Sequence, residues 1–315
     1  LHWGGSVQAG SFGTVNANAY VTGPTGVDGL NYRVDVGGGR SDGYRDLASW
    51  NKEIRPDLQW TIGDHKIEFS LDAQDYMATP DSYGLIYFKG APIRNVPFDA
   101  RYSTPFANAH GNYVRATLSD EWRIADYLTI NNRLSYLHHT LDFFSNGDST
   151  HAKVKGNTFT GRQLRDQDDS LNTFDYQLEP VWKFSTGGIH HTLLTGFEYL
   201  DQDLNSAKTT ADLPDIDNIF APVPRETSIA SLNFQCAPSH SCQNDHVRAN
   251  FYSLYATDQV DVTSQFKIRA GVRKDWFGTS LTLNPVAGEP NRTGNDGTTL
   301  VPGDTYTRND APTSW

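Results

Sequence analysis

Along Phe174, Tyr176, Leu178, Pro180, Trp182 and Phe184, every second residue is apolar or carries a ring. The positions between them are Asp175, Gln177, Glu179, Val181 and Lys183, four of five polar. Side chains alternate across a strand, so this period of two predicts one greasy face and one wet face. The run turns through Ser185-Thr186-Gly187-Gly188 and returns as His191, Leu193, Thr195, Phe197 and Tyr199. A strand from Leu171 to Phe184 exceeds both the ~5–6 residues usual in soluble sheets and the ~9–11 that cross a bilayer at a tilt. The hairpin Leu171 to Asp201 is therefore expected to cross a membrane.

The same alternation recurs along the chain. Val15, Ala17, Ala19 and Val21 form one strand face, broken by the Gly-Pro and Asp-Gly signals of 22–29. Leu30, Tyr32, Val34 and Val36 form the next face, then Ile54, Pro56, Leu58, Trp60 and Ile62. Ile67, Phe69, Leu71 and Ala73 rise after the minimal turn Gly63-Asp64. Val114 to Ile124, Leu128 to Tyr136, Tyr252 to Val262 and Phe266 to Val272 repeat the pattern. The expected connections are long at Met77–Asn112 and Asn205–Arg248, and polar at Asn146–Ser170. The end, Leu281 to Trp315, is expected to be loop and the start of one more strand. Pro56 and Pro180 each remove a ladder donor, which predicts a bulge at each.

About eleven strands result, and their connections alternate between short and long or polar. One end of the sheet would carry tight turns and the other large loops, as in an outer-membrane barrel. Trp60, Trp122 and Trp182 each stand a few residues before a short turn, with Tyr127 just after one, which predicts an aromatic girdle at one level. A soluble β-sandwich also alternates, but with shorter strands and connections that do not sort by end.

Composition agrees with this picture. Mean hydropathy is −0.55 and no apolar run reaches the ~18 residues of a membrane helix. A barrel with a polar lumen and wet loops has such an average. The formal charge of −11 argues against nucleic acid as a partner. No initiator Met or leader peptide is present, so any signal peptide is expected to be already absent. Cys236 and Cys242 read as a small-loop disulfide, with free thiols the other possibility.

No catalytic constellation is found: there is no G-x-S-x-G, no H-E-x-x-H and no nucleophile–base pair, so the chain is not expected to be an enzyme. His138-His139 and His190-His191 are adjacent on strands and point to opposite faces, which argues against shared metal ligation. Asn291-Arg292-Thr293 matches a glycosylation sequon, accidental in a bacterial protein. The segment 205–248 carries three basic and five acidic residues, a balance poorly suited to a strongly anionic ligand.

"FDYQLEPVWKFSTG" followed by "GIHHTLLTGFEYLDQD" resembles TonB-dependent siderophore receptors, especially the ferric-hydroxamate (ferrichrome-type) branch. "SVQAGSFGTVNANAYVTGP", "LNYRVDVGGGRSDGYRD", "DSYGL" and "YSLYATDQVDVTSQFKIRAGVRKDW" fit in the same order. The resemblance implies an all-β, antiparallel, up-and-down transmembrane barrel of about 22 strands around an N-terminal plug. Residues 1–315 are then expected to be the N-terminal half of that barrel domain, about 11–12 strands, without plug or TonB box. It further implies an outer-membrane receptor among lipid and lipopolysaccharide that takes up a ferric siderophore, Fe(III)-siderophore being ligand and no cofactor being needed. Energy would come from the TonB–ExbB–ExbD complex through the plug. A passive porin-like or structural barrel is the alternative.

A Tyr-Gly-aromatic segment contacts ligand in that branch. Tyr83-Gly84 matches it, while Leu85 stands where a ring is expected. Tyr83, Leu85, Tyr87 and Phe88 are the first binding candidates, with Phe143 and Phe144 at the top of another strand. Aromatic side chains suit a bulky, partly apolar chelate. Each could equally pack its loop onto the barrel rim.

Overall fold

In the computed structural model the described residues are 1–81, 87–88, 90–97, 99–146, 152–237, 240 and 242–314; of Tyr87 and Phe88 only the backbone is described. Thirteen strands make one antiparallel sheet: β1 (His2–Ala9), β2 (Val15–Pro24), β3 (Leu30–Ser41), β4 (Ser49–Ile62), β5 (His65–Ala78), β6 (Asn108–Ala125), β7 (Leu128–Asn146), β8 (Gln163–Thr186), β9 (Ile189–Asp212), β10 (Gln243–Asp261), β11 (Lys267–Leu283), β12 (Thr305–Asp310) and β13 (Thr313–Ser314). Strands β1 to β12 pair in chain order, and β13 also pairs with β11 rather than with β12. β1 and β12 do not pair with each other, so the sheet is open among the described residues.

Tight turns lie at one end. Two of them, Gly63-Asp64 and Gly187-Gly188, have two residues each, with Gly63 at φ 55° and Gly187 at φ 65°. A left-handed residue matches the twist of the flanking strands. The other end carries loop A (79–107), loop B (147–162), loop C (213–242) and loop D (284–304), as the alternation predicts.

The strands are longer than their apolar pattern. β8 and β9 have 24 residues each, and the polar stretches before Ser170 and after Asn205 are ladder rather than loop. Likewise β6 begins at Asn108 and β10 at Gln243, which shortens two expected connections. Past the lipid both faces of a strand are wet, so the period of two fades while the backbone pairing continues.

The two faces differ as predicted. One rung runs unbroken through Tyr32, Leu58, Phe69, Leu118, Leu134, Tyr176, Tyr199, Tyr252 and Trp276, on β3 to β11. Most of these side chains are half exposed, covered only by their neighbours in the sheet: Leu58 is 43% exposed, Leu118 45% and Leu254, on the same face, 53%. Rows of exposed leucine and phenylalanine on this scale mark a surface made for something other than water. The opposite face is polar and concave. Tyr255 Oη donates to Glu179 at 2.6 Å and Arg273 Nη2 to Glu198 at 2.6 Å, each contact skipping the strand between.

The tryptophans keep a regular stagger. Trp60 pairs with Ile67 and Trp122 with His65, while Trp122 pairs with Ile130 and Trp182 with Leu128. Each tryptophan thus lies two residues nearer the tight turns than its predecessor, counted along the strand between them. Strands ~4.8 Å apart and tilted ~40° require a stagger of about 8 Å over two strands, roughly two residues, to hold one level. By the same geometry the rings of Tyr176, Tyr199, Tyr252 and Trp276, which share one unstaggered rung, climb by about 3 Å per strand and form a slope rather than a second level.

The bulges expected at the prolines do not form. Pairing between β4 and β5 goes from Ile54↔Ala73 to Asp57↔Ser70, and between β8 and β9 from Leu178↔Phe197 to Val181↔Leu194. Register is kept and the rungs are simply lost. Proline has no N–H to give, and a missing rung leaves the alternation of faces intact where a bulge would disturb it. Concave-face side chains cross both gaps. Tyr255 of β10 reaches Glu179, passing over Gly196, where an added Cβ would stand 2.2 Å from the ring. At the other gap Arg55 Nε donates across to Asp72 at 3.0 Å, and Asp72 also receives Tyr113 Oη from β6 at 3.0 Å.

Candidate functional site

The large loops share a small core of their own. Ala100 and Tyr102 of loop A, Phe159 of loop B, and Ile216 and Ile219 of loop C are buried together. Tyr102 meets Phe159 edge-on, ring centroids 6.2 Å apart, and its hydroxyl donates to the Ile219 carbonyl at 2.6 Å. Phe159 and Ile216 exchange backbone hydrogen bonds of 2.8 and 3.0 Å. With no water at its ring, Tyr102 has its phenol pKa raised by burial.

Arg162, at the foot of β8, lies in the middle. Its side chain and that of Glu226 have no exposed surface, and their charged groups meet at 2.9 and 3.3 Å. Arg162 also donates to the carbonyls of Pro214 and Tyr102, at 2.7 and 3.1 Å. A planar guanidinium with several fixed donors is suited to joining three segments at once.

Loop A is also held from the β3–β4 turn. Arg45 and Asp46 both occupy left-handed backbone, at φ 62° and 57°. That conformation is costly without glycine and persists where surroundings fix it. Here Arg45 pairs with Asp81 and donates to the Ala100 carbonyl, while Arg101 donates to the carbonyls of Asp46 and Thr104 and to Ser103 Oγ. Burial lowers the pKa of Arg101. Beside it a pocket of about 550 Å³ opens at the seam of loops A and C, walled by Pro97, Pro105, Pro222, Val223 and Pro224. Its size falls in the range of small-ligand sites, and its proline walls have little freedom to lose on binding.

Of the predicted binding residues, Tyr83 and Leu85 lie outside the described residues. The backbone of Tyr87 and Phe88 forms a two-residue ladder with Ala91 and Pro92 inside loop A; their side chains lie outside the described residues. Phe143 and Phe144 sit on β7 with opposite faces. Phe143 is on the concave face, the Arg165 guanidinium 5.1 Å from its ring centre, whereas Phe144 packs edge-on against Phe234 of loop C at 6.4 Å. Phe144 is thus a packing residue, and the structure does not bring the two rings together. Cys236 and Cys242 are disulfide-bonded within loop C, Cα atoms 5.4 Å apart. Sequence reasoning missed Arg162 and Glu226, which are 64 positions apart in polar surroundings; a buried pair leaves no periodic trace.

The adjacent histidines do point apart. His138 bonds Asn172 on the convex face, and His139 bonds the Tyr76 hydroxyl on the concave face. Among the described residues, the one carboxylate cluster with ligand-like spacing is Asp142, Asp166 and Asp168, with oxygens within 4.8 Å. It lies on the convex face at the loop ends of β7 and β8. Partial burial, then the neighbouring carboxylates, raise Asp166 and Asp168 above the ordinary range.

Residues 57–315 match the family model described as TonB dependent receptor-like, beta-barrel. No curated protein matches the chain. Among solved structures it is similar to the ferric-catecholate import receptor Fiu from E. coli K12 in its open form (TM-score 0.79, 19% identity, covering 98% of this chain and 50% of that one). The siderophore receptor PiuA from Acinetobacter baumannii gives TM-score 0.81 at 18% identity, covering 99% and 46%. BauA, the ferric preacinetobactin receptor from Acinetobacter baumannii, gives TM-score 0.68 at 12% identity, covering 99% and 44%. The chain spans half or less of the length of each, and at these identities the likeness is one of fold.

Proposed function

Because this chain belongs to the TonB-dependent receptor β-barrel family, we propose that it serves the uptake of a ferric siderophore across the bacterial outer membrane. The observation that carries the reading is the division of the sheet: an apolar, solvent-facing convex face with a level of tryptophans near the tight turns, a polar concave face, and all four long loops at the other end. Such a wall suits lipid outside, water inside and a ligand mouth at the loop end. Residues 1–315 serve as the first half of the barrel domain, and lipid and lipopolysaccharide cover the convex face. Fe(III)-siderophore is cargo, bound between loops and plug and released inward when TonB–ExbB–ExbD draws on the plug; energisation of this kind goes with the family. The proteins of similar fold include a ferric-catecholate import receptor and a ferric preacinetobactin receptor.

The finer reading is a hydroxamate-type chelate, supported by Tyr83-Gly84 in loop A and by the acidic balance of 205–248. The test is equilibrium binding of ferrichrome and of a ferric tris-catecholate to the receptor. Ferrichrome is expected to bind more tightly, and Tyr83→Ala to weaken it by about 1 kcal/mol or more. Preference for the catecholate would overturn the hydroxamate reading. Failure to bind either, with unassisted leakage of small solutes, would favour a passive barrel.

A further inference from the structure

We infer that the described parts of loops A, B and C form a single rigid cap, keyed by the Arg162–Glu226 pair, and that they move together or not at all. Independent flaps would meet through water and a few exposed side chains. Instead the three share a core of five buried apolar residues. Their backbones are joined: Phe159 to Ile216, the Ile219 N–H to the Asn157 carbonyl at 2.8 Å, and the Leu213 N–H to the Arg162 carbonyl at 2.9 Å. Arg162 belongs to loop B, accepts its counter-charge from loop C and donates to a loop A carbonyl, so no one loop can leave without exposing that charge. Arg45 and Arg101 then fix the near side of loop A to the β3–β4 turn.

A buried charge stripped of its partner is far costlier than the same pair replaced by apolar groups. Opening any one loop therefore incurs the cost of opening all three. Traffic past this end of the wall runs around the cap's edge, toward loop D or the wall beyond β11, and the proline-walled seam between loops A and C keeps a fixed width. The coupling does not depend on which ligand the receptor takes.

The experiment uses the receptor in outer-membrane vesicles. Spin labels on Asp99→Cys, Lys155→Cys and Val223→Cys, taken in pairs, report one exposed position in each loop. All three distance distributions are expected to be narrow. Multiple well-separated distances in the otherwise unchanged receptor would overturn the proposal without any change to the hub. Limited proteolysis gives the second reading. Arg162→Met or Glu226→Gln is expected to raise cleavage in loops A, B and C together, by at least about tenfold. Arg162→Met with Glu226→Met is expected to recover much of the protection, since no lone charge remains. Faster cutting confined to loop C, or a double variant as labile as the two single effects combined, would sink it.

Discussion

At Gly196 the absence of a side chain makes room for the Tyr255 ring to cross β9 and reach Glu179. One residue thus determines whether two strands that are not neighbours touch, and the alternating pattern gives no hint of it. Glu289 in loop D is a second residue whose role comes from its surroundings. Its side chain is fully buried beside Arg292, which is committed to Asp245 at 2.5 and 2.9 Å. Burial raises the Glu289 pKa, with Arg292 opposing. Folding therefore favours the protonated acid. Its contribution is complete below the ordinary glutamate value and is lost as pH rises through the raised one. Glu289→Gln removes that loss, so loop D of the variant should keep hydrogen-exchange protection at pH 8 that the parent gives up. Equal protection at pH 5 and pH 8 in the parent would count against the assignment.

Within an element, the two faces should respond oppositely to the same change. Leu254 sits near the middle of the convex face of β10, and Gln177 on the concave face of β8. Leu254→Lys should cost about 2–4 kcal/mol in unfolding from lipid vesicles, the depth-dependent cost of a cation in the hydrocarbon. Gln177→Lys should cost roughly 0.5 kcal/mol or less, like other changes on a wet surface. Comparable costs would mean that the faces are wrongly assigned. Strand identity and face were legible because lipid on one side and water on the other impose the period of two. Strand ends were not, because Asp166, Gln167, Asp168 and Asp169 stand where both sides are wet and the period has no cause. The prolines misled in a different way: Pro56 and Pro180 suggested bulges, and the strands instead gave up rungs.

For the whole molecule, the one-sided sorting of loops could be read from connection lengths, since an up-and-down sheet places alternate connections at the same end. The cap could not. Tyr102, Phe159 and Ile219 come from three loops, and only the closing of the sheet's far end brings them together. Phe143 and Phe144 were grouped by adjacency, yet neighbours on a strand face opposite ways, and the pair divides between lumen and loop packing.

The two lost rungs carry a mechanical consequence. A wall that is pulled from inside bears load along its strand-to-strand ladders, and those between β4 and β5 and between β8 and β9 are each interrupted once. Across the interruption between β4 and β5 the tension passes through Arg55 and Asp72, and across that between β8 and β9 through Tyr255 and Glu179. Extraction of single hairpins by force microscopy should therefore find Arg55→Met with Tyr255→Phe yielding at lower force, at these two hairpins and no others.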